Sequence, residues 1–249
     1  MEGALLRIEG LGKTYGKYAA LKGVSFSLHQ GDVLGIIGEN GAGKSTLLSL
    51  LGMIQKPAGG TMFFRDRDIT NHRKEYLSHV GYVPQEIALF EELSGRENLV
   101  FFGKAYGLSG DLLKERIAKV QQMTEFPAAW MDEPVAKYSG GMKRKINIGA
   151  AMLHEPEVLL LDEPVANLDF ETEEQVIHAL KLLAEQGTTI LYVGHQMEQM
   201  EALCNKLCLL KEGEMVLFGE TAELLFADGK EKSLKQLWRE IIRTVPEKE

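Results

Sequence analysis

GENGAGKST runs from Gly38 to Thr46, and its flanks decide how the whole chain is read. Before it, DVLGIIG (Asp32–Gly38) is almost continuously apolar, as a strand buried on both faces would be. After it, Lys44 to Met53 reads as a helix. Between strand and helix the spacing G-x-x-x-x-G-K-[ST] is that of a phosphate-binding loop. Glycine lets the backbone turn tightly and approach a ligand with no Cβ in the way. Gly38, Glu39, Asn40, Gly41, Ala42 and Gly43 would turn successive N–H groups toward phosphate oxygens, at the positive end of the helix that follows. Lys44 adds a mobile positive charge for the β- and γ-phosphates. Ser45 offers a hydroxyl to Mg²⁺, and Thr46 reaches the α-phosphate.

A cradle of this kind binds nucleotide without hydrolysing it. Hydrolysis needs a metal anchor and a group that orients water. LLLDEP (Leu159–Pro164) supplies both at the end of an apolar strand, where ligands sit in open α/β sheets. Asp162 would hold Mg²⁺ through water, and Glu163 would polarise the attacking water. Alone, the pair would be a solvated acidic turn; beside a phosphate loop it reads as catalytic. A second glycine turn, YSGGM (Tyr138–Met142), precedes another helical stretch. Ser139, Gly140 and Gly141 would present a hydroxyl and bare N–H groups to an anion. Taken singly, a serine and two glycines are a turn.

The chain has 249 residues, 45% of them hydrophobic and 26% charged, which suits a globular protein with a sizeable core. Its formal charge of −8 argues against nucleic acid as a partner. No stretch reaches the roughly 18 apolar residues of a membrane span, and the N-terminus lacks the apolar core of a signal peptide. Cys204 and Cys208 are expected to be reduced core thiols, in keeping with an intracellular protein.

Short strands are expected at Ala4–Gly10, Val24–Leu28 and Thr61–Phe64. A helical block runs from about Gln85 to Leu153; within it Ser94 and Glu97 have the spacing of a capping box. Buried strands follow at Glu157–Glu163 and Thr188–Gly194, with a helix at Glu171–Glu185 between them. A hairpin closes at Lys211–Gly213. In the tail, Leu234, Leu237, Trp238, Ile241 and Ile242 share one helical face, which is expected to pack on the protein's own core rather than on a partner. The result is an α/β core carrying an inserted helical subdomain.

The order of these pieces resembles the nucleotide-binding subunit of ATP-binding-cassette (ABC) transporters over nearly the whole length. GENGAGKST resembles the family's phosphate loop, YSGGM its signature turn and LLLDEP its acidic strand. Gln85, in VPQ, matches the glutamine that senses the γ-phosphate, contributes to the metal site and contacts the membrane partner. ANLD (Ala166–Asp169) resembles the loop that crosses to a second subunit, and His195, in VGHQ, the switch histidine. Tyr15, in KTYG, matches the aromatic residue that stacks on adenine. The resemblance implies a P-loop NTPase core, with a mixed sheet, flanking helices and an N-terminal antiparallel β subdomain, over residues 1–84 and 154–228. It places the helical subdomain and signature at 85–153 and an amphipathic helix at 229–249.

It also implies two chains around two Mg²⁺–ATP. Each site would take Lys44, Ser45, Gln85, Asp162, Glu163 and His195 from one chain and Ser139, Gly140 and Gly141 from the other. Four positions depart from the commonest pattern: Met142 in place of glutamine, Val165 of threonine, Gly194 of serine or threonine, and Gln196 of aspartate. The stretches around Ser94 and Ser139 are most similar to the bacterial branch exporting drugs, antibiotics or polysaccharides. Such a subunit would sit on the cytoplasmic face of the membrane, bound to separate permease subunits through the segment between Gln85 and Ser139. The rival is a cassette ATPase that drives assembly without transport, as in iron–sulfur assembly.

Overall fold

The computed structural model describes residues 3–227 and 230–244. The chain opens with an antiparallel pair, β1 (Leu6–Tyr15) and β2 (Tyr18–Leu28), and enters β3 (Val33–Gly38), from which the glycine loop leads into α1 (Lys44–Leu51). β4 (Gly59–Phe64) and β5 (Arg67–Asp68) extend the first sheet, and α2 (Arg73–Leu77) and β6 (Val80–Val83) follow. Three helices come next: α3 (Gly95–Ala105), α4 (Gly110–Met123) and α5 (Gly140–Met152). β7 (Val158–Asp162), α6 (Phe170–Glu185), β8 (Thr189–Val193) and α7 (Met197–Leu203) then alternate. The hairpin β9 (Lys206–Lys211) and β10 (Glu214–Glu220) precedes α8 (Thr221–Leu225) and α9 (Leu234–Thr244).

Two sheets result. The first, in the order β2-β1-β4-β5, is antiparallel. The second runs β10-β9-β3-β8-β7-β6 and is parallel except for the β9–β10 hairpin. In sheet order, then, the strands preceding the phosphate loop, His195, the acidic pair and Gln85 are adjacent, and all four end at the same edge.

The apolar runs behave as expected of strands covered on both sides. Successive residues alternate between two cores. On β3, Leu34 and Ile36 face the core shared with α1 and the first sheet, while Val33 and Ile37 face the core shared with α3 to α6. β7 divides in the same way, Val158 and Leu160 against Leu159 and Leu161, and so does β8, Leu191 and Val193 against Ile190 and Tyr192. Cys204 and Cys208 are free and buried, and burial pushes both thiols well above their ordinary pKa. Among the described residues no helix is long and apolar enough to cross a membrane.

Several boundaries differ from the sequence expectation. The first strand does not stop at Gly10. Gly10 adopts φ +60° and the β1–β2 register shifts there, so the strand bulges and continues to Tyr15. β2 begins at Tyr18 rather than Val24. α1 ends at Leu51 rather than Met53, because Gly52 caps it and Met53 turns to φ 52°. The hairpin turn places both Glu212 and Gly213 at positive φ, the condition for a tight two-residue turn. The tail helix forms as expected: Leu234 is buried, and Leu237 and Trp238 pack against the larger core. Residues 229 and 245–249 of that expected segment lie outside the described residues.

At the start of α3 the expected capping box is present. Ser94 Oγ accepts from Glu97 N at 3.1 Å, and Glu97 Oε2 accepts from Ser94 N at 2.8 Å. One turn further on, Asn98 is fully buried. Its Oδ1 accepts from Phe90 N at 2.9 Å, and its Nδ2 donates to the carbonyls of Phe90 and Ser94, both at 3.0 Å. Asn98 therefore shapes the loop that follows Gln85. Replacing it with alanine strands these buried backbone groups, so Asn98→Ala is expected to lower unfolding stability by about 3 kcal/mol, measured by urea titration.

Candidate functional site

The glycine loop closes over its own lysine. Gly41 and Gly43 adopt φ +83° and +103°, and Gly43 caps α1. A Cβ at Gly43 would lie 2.5 Å from Ala20 O, and one at Gly38 2.5 Å from Leu210 O. Both positions therefore require glycine for space, and Gly43 requires it for its backbone angle as well. The hairpin turn braces the loop from below, with Gly213 N donating to Ala42 O at 3.2 Å. Lys44 is buried at the head of α1, and its Nζ donates to Gly38 O at 2.7 Å and Glu39 O at 3.0 Å. Burial lowers its pKa, against the opposing pull of Glu163 and Asp162. Ser45 and Asn40 are exposed at the rim.

An open cleft of about 420 Å³ lies over this loop. One wall holds Tyr15 and the glycines, the floor Lys44, Ser45 and Thr46, and the far wall Gln85 and Glu163. Glu163 is at φ +50°, a left-handed conformation uncommon for a residue with a side chain. Its N–H donates to Val193 O at 2.9 Å, tying it to the end of β8. That turn separates two neighbouring carboxylates. Asp162 stays in the strand, 4% exposed, while Glu163 swings into the cleft. Gln85 Nε2 donates to Glu163 Oε2 at 3.0 Å, and His195 Nε2 lies 2.7 Å from Glu163 Oε1. Two residues from two different loops thus converge on one carboxylate.

Asp162 is the acid here whose surroundings suit a metal ion. Ser45 hydrogen-bonds to it, yet its Oδ1 is buried without a partner. Burial raises its pKa, and Glu163 adds to the rise, while the Ser45 hydroxyl, Lys44 and His195 oppose it. An orphaned carboxylate oxygen beside a serine hydroxyl is a fitting donor set for a hard divalent cation. Among the described residues no three His, Cys, Asp or Glu side chains converge to cage an ion, so such an ion would complete its shell with phosphate oxygens and water.

Ser139, Gly140 and Gly141 do not line this cleft. Ser139 is the N-cap of α5, its Oγ accepting from Met142 N at 3.2 Å. Ser139 and Gly140 are exposed, and no atom would come within 4 Å of a Cβ at Gly140. Gly141 packs against Thr172, which a Cβ would meet at 2.8 Å. The structure therefore gathers Tyr15, Lys44, Ser45, Thr46, Gln85, Asp162, Glu163 and His195, and leaves the second glycine turn facing outward.

Sequence reasoning overlooks three contributors. Tyr18 lines the cleft and donates to Gly41 O at 3.0 Å. Gln55 accepts from the Tyr15 hydroxyl at 2.5 Å. Arg144, 5% exposed, donates to Pro84 O at 3.0 Å and Gln85 O at 2.8 Å, fixing the backbone that carries Gln85. α5 is buried nearly all round, so periodicity gave Arg144 no distinguishing face. Of the four unusual positions, Gly194 has a steric cause: a Cβ there would lie 2.5 Å from the Tyr192 ring. Gln196 bonds to Glu173 at 3.0 Å.

Comparison with known proteins places these features in context. The sequence pattern of the ABC transporter family matches residues 21–166. The linearmycin resistance ATP-binding protein LnrL of Bacillus subtilis is 39% identical over 220 residues, covering 88% of this chain and 70% of that protein. A Nod factor export ATP-binding protein I of Ralstonia nicotianae is 34% identical, covering 89% and 68%. Among solved structures, the ATP-binding subunit of an ABC transporter superposes with a TM-score of 0.86 at 27% identity, over 96% of this chain and 99% of the other. A dimeric ATP-binding cassette in a post-hydrolysis state, bound to ADP and Pi, gives 0.79 at 26% identity, over 87% and 98%.

The raised pKa of Asp162 has a stability consequence. A carboxyl group whose folded pKa exceeds its unfolded value penalises the fold once pH rises through those values, and not below them. Asp162→Asn removes the charge and keeps an acceptor for Ser45. Without nucleotide, the variant is expected to melt above the wild type at neutral and alkaline pH, with the gap closing toward the ordinary carboxylate value of 3.8. Thermal unfolding followed by circular dichroism across pH measures it.

Proposed function

Because the chain belongs to the ABC transporter family, we propose that it is the ATP-binding and ATP-hydrolysing subunit of a transporter of the exporter branch, working as a pair on a separate membrane permease. Export is favoured over assembly without transport by its relatives, which confer linearmycin resistance or export Nod factor. The observation that carries the reading is the convergence of Gln85 and His195 on Glu163 beside a lysine-bearing glycine loop.

The chemistry follows from what each group can do. Tyr15 offers its exposed ring to the adenine. The loop amides and Lys44 receive the β- and γ-phosphates, and Lys44 exchanges the carbonyls of Gly38 and Glu39 for phosphate oxygens. Mg²⁺, held through Ser45 and Asp162 with Gln85 at its edge, would neutralise charge on the transferring phosphoryl group. Glu163 accepts a hydrogen bond from the attacking water and aligns it with the γ-phosphate. Gln85 and His195 both engage Glu163, so a phosphate has to draw them away before the carboxylate can act on water.

A single chain supplies half of each site. Ser139 and Gly140 face outward, with Gly141 packed behind them, and we assign this turn to the nucleotide held by a second copy or a close paralogue. ATP then bridges the two chains, and loss of the γ-phosphate releases them. The division into a core at 1–84 and 154–228, a helical subdomain at 85–153 and the tail at 229–249 fits this scheme. The helical part carries both the signature turn and the groove for the permease on the cytoplasmic face of the membrane.

Glu163→Gln is expected to bind ATP with ordinary affinity, turn over about 10²–10⁴-fold more slowly, and accumulate as a dimer with ATP and Mg²⁺ in light scattering. Turnover at the wild-type rate would remove Glu163 from its role. Lys44→Ala loses charge-assisted contacts to phosphate and is expected to bind a fluorescent ATP analogue about 10–100-fold more weakly. Unchanged affinity would count against the cradle.

A further inference from the structure

His195 hangs on a three-residue bridge, Gly194 to Gln196, between β8 and α7. The β8 end is fixed in the middle of the sheet. The α7 end is a seven-residue helix, too short to hold its own position. It is held by α6 and the core on one side and by α9 on the other. Leu234, 1% exposed, donates its N–H to Glu201 on α7, and the two helices pack together. The start of α9 is itself pinned. Ser233 and Gln236 form a reciprocal cap, Ser233 N donating to Gln236 Oε1 at 2.8 Å and Gln236 N to Ser233 Oγ at 3.3 Å.

One turn beyond Leu234 comes Trp238. It is partly buried against the core and lines a second cleft, of about 440 Å³, together with Gly38, Glu39 and Asn40 of the phosphate loop and Gly194, His195 and Met197 of the switch segment. The largest side chain of the tail thus stands where the two loops that must sense the γ-phosphate approach each other.

We propose that Trp238 is a positioning residue for hydrolysis: from α9 it sets the place of the His195 bridge against the phosphate loop, and so governs the exchange of His195 between Glu163 and the terminal phosphate. This rests on His195 as the phosphate-sensing group. An indole is rigid and broad, so it holds a loop at low entropic cost. Its removal would leave the nucleotide's own contacts intact and loosen only the histidine that completes the reacting geometry.

The test compares Trp238→Ala, Trp238→Phe, His195→Ala and the double variant His195→Ala/Trp238→Ala in the full chain. Trp238→Ala is expected to lower turnover about tenfold, leave affinity for a fluorescent ATP analogue within about twofold, and be largely rescued by Trp238→Phe. In the His195→Ala background, loss of Trp238 should cost nothing further, because the two act as one unit. Wild-type turnover of Trp238→Ala, or the same loss recurring in the double variant, overturns the proposal. Wild-type turnover of His195→Ala alone instead overturns the reading of the histidine.

A second readout needs no change at Trp238. The chain has two tryptophans, Trp130 and Trp238, so Trp130→Phe leaves Trp238 as the sole indole. In Glu163→Gln/Trp130→Phe its emission is expected to shift when ATP and Mg²⁺ are added. Constant emission overturns the proposal even where Trp238→Ala fails to fold.

Discussion

A lysine ammonium buried at the head of a helix is an unfavourable arrangement unless an anion shares the site. The positive end of α1 and the charge of Lys44 reinforce rather than offset each other, and burial already pushes the lysine toward its neutral form. Without phosphate, two loop carbonyls and the fields of Asp162 and Glu163 hold the charge in place. The two carboxylates are themselves unequal. Asp162 is buried with an orphaned oxygen, and Glu163 is hydrogen-bonded. The site is a set of partly compensated charges, to which the phosphates of a nucleotide would add compensation.

The same constraint explains the sheet order. Groups that must meet one terminal phosphate cannot come from distant parts of the sheet. The adjacency of β3, β8, β7 and β6 brings the lysine loop, His195, the acidic pair and Gln85 to a single edge, although they are spread from Lys44 to His195 in the chain. Crossover helices cover both faces of those strands, so their residues must be apolar on both sides, and they are. Polar chemistry is confined to the strand ends.

That division also governs what was legible in the sequence. The glycine loop reads directly because its geometry is local: the residue spacing, the preceding strand and the following helix all lie within about twenty residues. The capping box at Ser94 and the hairpin turn at Gly213 are legible for the same reason. The long-range groups are not. Arg144 lies on a helix buried all round and acts on Gln85 through backbone carbonyls nearly sixty positions earlier. Tyr18 reads only as one more aromatic in a β-rich segment. Nothing local says that its hydroxyl caps Gly41 O. The short helices α2 and α7 hold fewer than about two turns, too few for a period to show. The early end assigned to the first strand reflects a bulge at Gly10, where a turn residue serves inside a strand. For Gln85 and His195, the family resemblance carried what residue types alone could not.

The outward-facing glycine turn is joined to the catalytic carboxylate by a short, stiff route. From Glu163 at φ +50° the chain passes Asn167 at φ +61° and reaches Asp169, whose carboxylate caps α6 by accepting from Thr172 N at 3.0 Å and Thr172 Oγ1 at 2.8 Å. Thr172 in turn fills the space against Gly141 of the second turn. Two left-handed residues and a doubly bonded cap leave this segment few alternative conformations. A displacement of Glu163 by a phosphate in one cleft would therefore be transmitted to the second glycine turn, which we propose covers the nucleotide of a second chain. The route runs through the Asp169 cap and the Thr172–Gly141 contact. The two sites of a pair would then be linked within each chain as well as across the interface, which is the arrangement a reciprocal opening and closing requires.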